Sequence, residues 1–296
     1  MPVYQLLGAR DSLADFIASL DRSSDVFSLP LIEVEREYQQ RYQVQRFIQD
    51  HIEHKSVSLC RRGYRVLDAE GVATRVACDN AWLCAVCAPR RLDHFVGQTV
   101  EVIELASTVL AFTFSQIQET GEGLAGALNR LKRSMTSVTT GRAWADLKIR
   151  HGIVGIGYVV EVKHSPTGWH PHLHGFLVSD RNLSDEQASQ LGLALRRRWS
   201  QQSTGASLFA QHVAMVRPDE FSSATRYVKK DSPRYTTTSA TNRTIGDLVH
   251  DASRGDLDAL DLLQEVATAT KRQRRFTWTP GIVSTLQEAT HAPLSA

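Results

Sequence analysis

Two histidines, His172 and His174, stand two residues apart in the apolar run Trp169-His170-Pro171-His172-Leu173-His174-Gly175-Phe176-Leu177-Val178. On a strand, residues i and i+2 share a face. Both imidazoles then point one way while Leu173 points into the core. Two neutral imidazoles on one face can hold a divalent metal, although a His-x-His pair on a strand also reads as plain surface polarity. A third ligand comes from the preceding strand. Ser165-Pro166-Thr167-Gly168 has the residues of a four-residue turn. If it closes a hairpin with His164 opposite Trp169, Glu161 faces His172 and Val159 faces His174, and opposed residues share a face. Two imidazoles and the Glu161 carboxylate suit Mg²⁺ or Mn²⁺ with positions left for phosphate oxygens. A one-residue slip would send Glu161 to the other face. In the unslipped register His170 and Lys163 also share the metal face, as substitute ligands or as contacts to whatever the ion binds.

The chain has four cysteines, Cys60, Cys78, Cys84 and Cys87, all within one short stretch. Cys84-Ala85-Val86-Cys87 can chelate one ion, and Cys60 and Cys78 can complete a tetrahedral zinc site. Cys60, loosely spaced from the rest, is the weakest member. The first residues, Met1-Pro2-Val3-Tyr4-Gln5, hold no basic region followed by a long apolar run, so a disulfide framework is the lesser expectation; a thioredoxin-like pair is too, because all four cysteines fall in one cluster.

A third group is Arg226-Tyr227-Val228-Lys229-Lys230-Asp231. It falls in a helix expected to start near Pro218, with Phe221, Ala224 and Val228 as its apolar face. Glu220, Ser223, Tyr227 and Lys230 recur at intervals of three and four on a neighbouring face. Arg226, Lys229 and Lys230 supply cations that can stabilise a Tyr227 phenolate or a bound phosphate. A surface tyrosine on a basic helix has the same signature. Tyr235, in a Ser/Thr-rich stretch, is the competing nucleophile.

These groups must be positioned by a substantial fold. The chain has 296 residues, 42% of them hydrophobic, enough for a sizeable core, and a net charge of only +2. No run of 18 apolar residues occurs, so no membrane span is expected. Four segments are expected: a helical one over 1–55, a cysteine module over 56–100, the histidine-bearing domain over 101–235 and a C-terminal helical and basic segment over 236–296. Residues 106–116 read as a buried strand. Leu124, Leu128, Leu131, Met135 and Val138 recur at helical spacing. Ser184 and Gln187 form a capping box ahead of a face of Ala188, Leu191, Leu195 and Trp199. Residues 232–244 read as a loop and 247–269 as helical. Two basic clusters, Arg196-Arg197-Arg198 and Lys271-Arg272-Gln273-Arg274-Arg275, stand beside Trp199, Phe276 and Trp278. Cations beside rings suit single-stranded DNA; a solvated helix end over a core aromatic is the equal alternative.

Taken in order, Trp82-Leu83-Cys84-Ala85-Val86-Cys87-Ala88, the strand Val109–Phe114, Gly168-Trp169-His170-Pro171-His172-Leu173-His174, Tyr227-x-x-Lys230 and Arg274-Arg275-Phe276-Thr277-Trp278-Thr279-Pro280-Gly281-Ile282 resemble the rolling-circle replication initiators of small bacterial plasmids, within the His-hydrophobic-His (HUH) endonucleases. The resemblance covers roughly residues 55 to 285. It implies an α+β fold: a central antiparallel sheet with helices packed against one side and the histidines on a central strand, plus the zinc module. It implies a metal-dependent nicking-joining enzyme acting on single-stranded or cruciform origin DNA, with Tyr227 forming a 5′-phosphotyrosyl link and freeing a 3′-hydroxyl. Lys230 would assist, and Glu220 is the candidate for the terminating cleavage, because Ser223 stands where some members carry glutamate. A host helicase and DNA polymerase, a bacterial cytoplasmic location and assembly as a homodimer go with that reading. Two alternatives remain. His170, His172 and His174 also match the histidine-triad nucleotide hydrolases, and a zinc-stabilised DNA-binding protein needs no catalysis.

Overall fold

The computed structural model describes residues 31–62, 64–66, 73–119, 121–217, 220 and 242–291. In chain order its helices are α1 (Leu31–His51), α2 (Lys55–Ser58), α3 (Cys87–Leu105), α4 (Leu124–Val138), α5 (Arg142–His151), α6 (Asp185–Gln202), α7 (Ile245–Ser253), α8 (Leu257–Ala269) and α9 (Ile282–His291). Its strands are β1 (Tyr64–Val66), β2 (Ala73–Arg75), β3 (Thr108–Ser115), β4 (Ile153–Ser165), β5 (Gly168–Ser179), β6 (His212–Met215), β7 (Arg243–Thr244) and β8 (Phe276–Trp278). The fold is α+β. No described helix is long and apolar enough to cross a membrane.

β1 and β2 form a small antiparallel ribbon, and the other six strands form an antiparallel sheet of order β6-β3-β5-β4-β7, with β8 also paired to β4. β5 is central. It pairs with β4 through the turn after Ser165, with His164 opposite Trp169, Glu161 opposite His172 and Val159 opposite His174. β3 lies on its other side, with Thr113 opposite His174 and Ser115 opposite His172.

Alternation then sorts the sheet into two faces. Leu110, Phe112, Phe114, Val160, Val162, Leu173 and Leu177 point to one face and pack with α4, α6, α7 and α8. Val109, Val159, Phe176 and Val178 point to the other, under α3, α9 and Trp278. Helices therefore cover both faces, not one. The reason is that α3 and α9 present apolar stripes of their own, Leu92, Phe95, Val96, Val102 and Ile103 on α3, Ile282 and Leu286 on α9, which must be buried.

The periodic helices form as their spacing dictates. Leu124, Leu128, Leu131, Met135 and Val138 are all buried along α4. Ser184 and Gln187 make the reciprocal capping box of α6, which buries Ala188, Leu191, Leu195 and Trp199. Thr244, at the end of the stretch read as loop, instead lies in β7 and caps α7 through a second reciprocal box with Asp247. Gly157 on β4 lies beneath Trp278, whose ring comes within 2.3 Å of where a Cβ would stand. That close approach lets β8 dock beside the strand.

Candidate active site and cysteine cluster

On the α3 side of the sheet the rows run from apolar to polar. Val178 and Phe176 lie beneath the helices; beyond them come His174 with Thr113 and Val159, then His172 with Glu161 and Ser115, then His170 with Lys163. The imidazole rings of His172 and His174 are stacked 6.0 Å apart at 17°, as the i, i+2 relation on a strand requires.

Glu161 is 6% exposed and bridges two side chains: its Oε1 is 2.6 Å from Lys163 Nζ, and its Oε2 is 2.7 Å from His174 Nε2. A carboxylate only accepts, so His174 Nε2–H is the donor, and Nδ1 is left to accept from Thr113 Oγ1 at 3.1 Å. His174 is thus oriented from both ring nitrogens. His172 differs. Its Nδ1 is buried with no hydrogen-bond partner. Burial is the main cause that pushes its pKa down to about 4, against the pull of Glu161, with the His174, Lys163 and His170 charges adding to the drop. Near neutral pH it is an imidazole with a free lone pair, the form that ligates metal. The orphaned nitrogen and the adjoining carboxylate fit a divalent ion in chemical type. They are not gathered as a ligand group, however, because Glu161 already bridges Lys163 and His174. The four cysteines are the only such group of three or more among the described residues.

His170 turns back to its hairpin, where Nε2 meets Ser165 Oγ at 2.8 Å and Thr167 Oγ1 at 3.4 Å. Glu220 is exposed and accepts through Oε2 from the Arg217 backbone N–H at 3.0 Å. Tyr227 and Lys230, with Arg226, Lys229 and Tyr235, lie outside the described residues. Thr113, on the neighbouring strand, was not singled out by the sequence; its only signal is its place opposite His174.

The cysteines form a compact centre. The ligand atoms of Cys60, Cys78, Cys84 and Cys87 all lie within 4.8 Å of one another, and none is in a disulfide. Four cysteines so close can bind a metal such as zinc. Cys60 follows α2, Cys78 follows β2, and Cys84 and Cys87 open α3. Arg61 and Asp79, each just after a cysteine, take left-handed conformations with φ of 63° and 55°. The turn at Asp79 folds the chain back so that Asn80 N–H points to Cys78 Sγ at 3.5 Å, and at the start of α3 Cys87 N–H points to Cys84 Sγ at 3.3 Å. Hydrogen bonds from Cys60, Cys78 and Cys84 hold the Cys87 thiol low, while donation to Cys60 pushes Cys84 up. A cation would relieve that competition by accepting all four sulfurs as thiolates.

Two glutamines that the sequence reading passed over brace this centre. Gln49 Nε2 donates to the Cys60 carbonyl at 2.7 Å, and Gln45 Oε1 accepts from Ala85 N–H at 2.9 Å. The centre is also tied to the approach of β8. Trp82 Nε1 donates to the Gln273 carbonyl at 2.9 Å, and Arg275 donates to the Ala81 carbonyl at 3.1 Å with its guanidinium over the Trp82 ring.

Of the aromatics beside the basic clusters, Trp199 and Trp278 are buried and Phe276 is half-buried. Trp199 is fully buried, stacks on Phe114 at 4.7 Å and donates Nε1–H to the Ser115 carbonyl. Arg196 and Arg198 donate to the carbonyls of Leu208 and Val138, the latter at the end of α4. Base stacking on Trp199 is therefore excluded by its burial.

A curated protein from Streptomyces lividans named "Protein rep" is 25% identical to this chain over 146 residues, 38% of this chain and 32% of that protein. The chain thus matches about a third of the length of that relative. No family model matches. No solved structure matches. The similarity is weak, and it is to a protein named rep.

Proposed function

We propose that this protein initiates rolling-circle replication by nicking and rejoining single-stranded origin DNA at the histidine face of the sheet, with Tyr227 as nucleophile. The observation that carries the reading is the pairing on the central strands: Glu161 opposite His172, hydrogen-bonded to His174, at the polar end of an otherwise helix-covered face. The similarity to a protein named for replication points the same way.

In this reading Tyr227 oxygen attacks the scissile phosphorus, the P–O3′ bond breaks, and the departing 3′ oxygen takes up a proton. The products are a 5′-phosphotyrosyl link and a 3′-hydroxyl that a host polymerase can extend. Attack of a 3′-hydroxyl on the same phosphorus reverses the step. Lys230 stabilises the phenolate and Glu220 is the candidate base for the terminating cleavage. A Mg²⁺ or Mn²⁺ ion bound by His172, His174 and Glu161 would supply polarisation of the phosphate oxygens. The chain's own contribution is orientation: the Thr113 hydroxyl, able to donate or accept at His174 Nδ1, holds that ring in either tautomer, burial keeps His172 neutral, and an ion would have to displace His174 Nε2–H and the Lys163 ammonium from Glu161.

The test is incubation with a library of single-stranded oligonucleotides and Mn²⁺, with mass spectrometry of any covalent adduct. The adduct should map to Tyr227, vanish in Tyr227→Phe and in His172→Ala/His174→Ala, and persist in Tyr235→Phe. An adduct that maps to Tyr235, or that survives in Tyr227→Phe, refutes the assignment of the nucleophile; activity of the double histidine variant refutes the role of the histidine face.

A further inference from the structure

Away from the histidines, a cleft of about 1020 Å³ opens between α2, the cysteine loop and the segment leading into β8. Six cationic side chains line it, Lys55, Arg91, Lys271, Arg272, Arg274 and Arg275, against the carboxylates of Glu53 and Asp79. Six less two leaves four positive charges in one cleft, more than the net +2 of the whole chain. Arg275 is committed to the Ala81 carbonyl, and Arg91 lies 3.6 Å from Asp79. Lys55, Lys271, Arg272 and Arg274 are exposed. Uncompensated cations held side by side repel one another, and such an arrangement is stable at little cost only in solvent or against an anion.

From this cleft we infer a second nucleic-acid site, one that grips the phosphate backbone of single-stranded DNA and does not read bases. Its size lies at the upper end of the roughly 300–1,000 Å³ of ordinary small-molecule sites, and it is the four exposed cations, Lys55, Lys271, Arg272 and Arg274, that favour a run of phosphates over a single one. A single strand is flexible enough to follow a row of cations around a cleft of this size, whereas a duplex is stiff over about 150 base pairs. The rings at its floor are already engaged: Trp82 is buried beneath Arg275, and Phe276 is sandwiched between Arg275 and Phe95. Trp278, which also lines the cleft, is buried against Phe95, and Phe276 is half-buried, so among the described residues the rings offer bases little open face and binding should be nearly indifferent to sequence and steep in salt. Because the wall Cys78–Trp82 belongs to the cysteine centre, the cleft stands whether or not the histidine face nicks DNA.

Fluorescence anisotropy with labelled oligo(dT), on the full chain and without added divalent ion, separates this site from cleavage. Lys271→Glu/Arg272→Glu/Arg274→Glu should weaken binding roughly tenfold or more and lower the slope of log affinity against log salt by about 2, three lost contacts at about 0.7 each. Arg133→Glu/Arg142→Glu/Lys148→Glu, an equal charge change on the exposed surfaces of α4 and α5, should have less than about a third of that effect on the logarithm of affinity. Oligo(dA) should bind as oligo(dT) does. The inference is overturned if the two triple variants lose affinity equally, if the cleft variant binds as the parent does, if a hairpin duplex binds as tightly as oligo(dT), or if polyglutamate of equal charge displaces the DNA. Circular dichroism guards against misfolding, and Lys271→Gln/Arg272→Gln/Arg274→Gln should reproduce about half of the loss.

Discussion

Replacing His172 by asparagine should flatten the acid side of the stability profile. In the folded protein burial lowers the His172 pKa from the ordinary 6.5 to about 4. In the unfolded chain it returns to about 6.5. Between those values the unfolded state binds the extra proton, so stability falls as pH drops from about 6.5 to 4 and the loss is complete below that. Two and a half units correspond to about 3 kcal/mol in full, of which about 1.2 kcal/mol should be lost between pH 7 and pH 5.5. His54, His151, His164 and His170 are lowered as well, each chiefly by burial. The parent's own slope is therefore a sum, and only its difference from His172→Asn isolates this residue. Urea unfolding followed by tryptophan fluorescence, without added Mg²⁺ or Mn²⁺, measures both proteins at the two pH values. Asparagine cannot titrate, so its own fixed cost cancels in the difference. The stability gap between parent and variant should change by about 1.2 kcal/mol in the variant's favour at pH 5.5. Parallel pH profiles would refute the argument, as would a His172 resonance titrating near the ordinary value, and the neutral ligand form at the histidine face would lose its physical basis.

Freshly purified, reduced protein should contain about one zinc, and Cys84→Ser/Cys87→Ser should lose it together with the start of α3 and several kcal/mol of stability; elemental analysis with urea unfolding checks both. Trp199→Ala should cost about 3–5 kcal/mol by opening a cavity beside Phe114, with single-stranded DNA affinity unchanged for the fraction that folds. A Trp199 variant that loses DNA affinity without losing stability would restore the ring as a DNA contact. Gly157→Ala should displace the Trp278 ring and cost about 1–3 kcal/mol, visible as lowered thermal stability and altered tryptophan fluorescence.

What could be read from the chain was whatever a local period or a short loop determines. The hairpin after Ser165 pins the β4–β5 register within four residues, and that alone brings Glu161 to the His172 side. The face of α6 and its Ser184–Gln187 cap are likewise set within a few turns of one helix. Trp199 shows where such reading fails. Its neighbours Arg196 to Arg198 announce a basic surface, but at 3.6 residues per turn the ring points opposite to Arg197, into Phe114. The three residues of β8 carry no period long enough to detect; they are a strand only because Val159 pairs with Phe276 and Gly157 leaves room for Trp278. Thr113 acquires meaning only from the strand beside it. The same holds for α3, whose opening Cys-Ala-Pro-Arg-Arg reads as a metal loop and a basic patch. Its apolar stripe begins at Leu92, one turn beyond Cys87, so a single helix both completes the cysteine centre and closes the second face of the sheet. That shared helix is the physical link between the two sites: loosening the cysteines frees the N-terminus of the element that lies over Val159 and Phe176, directly beside His174.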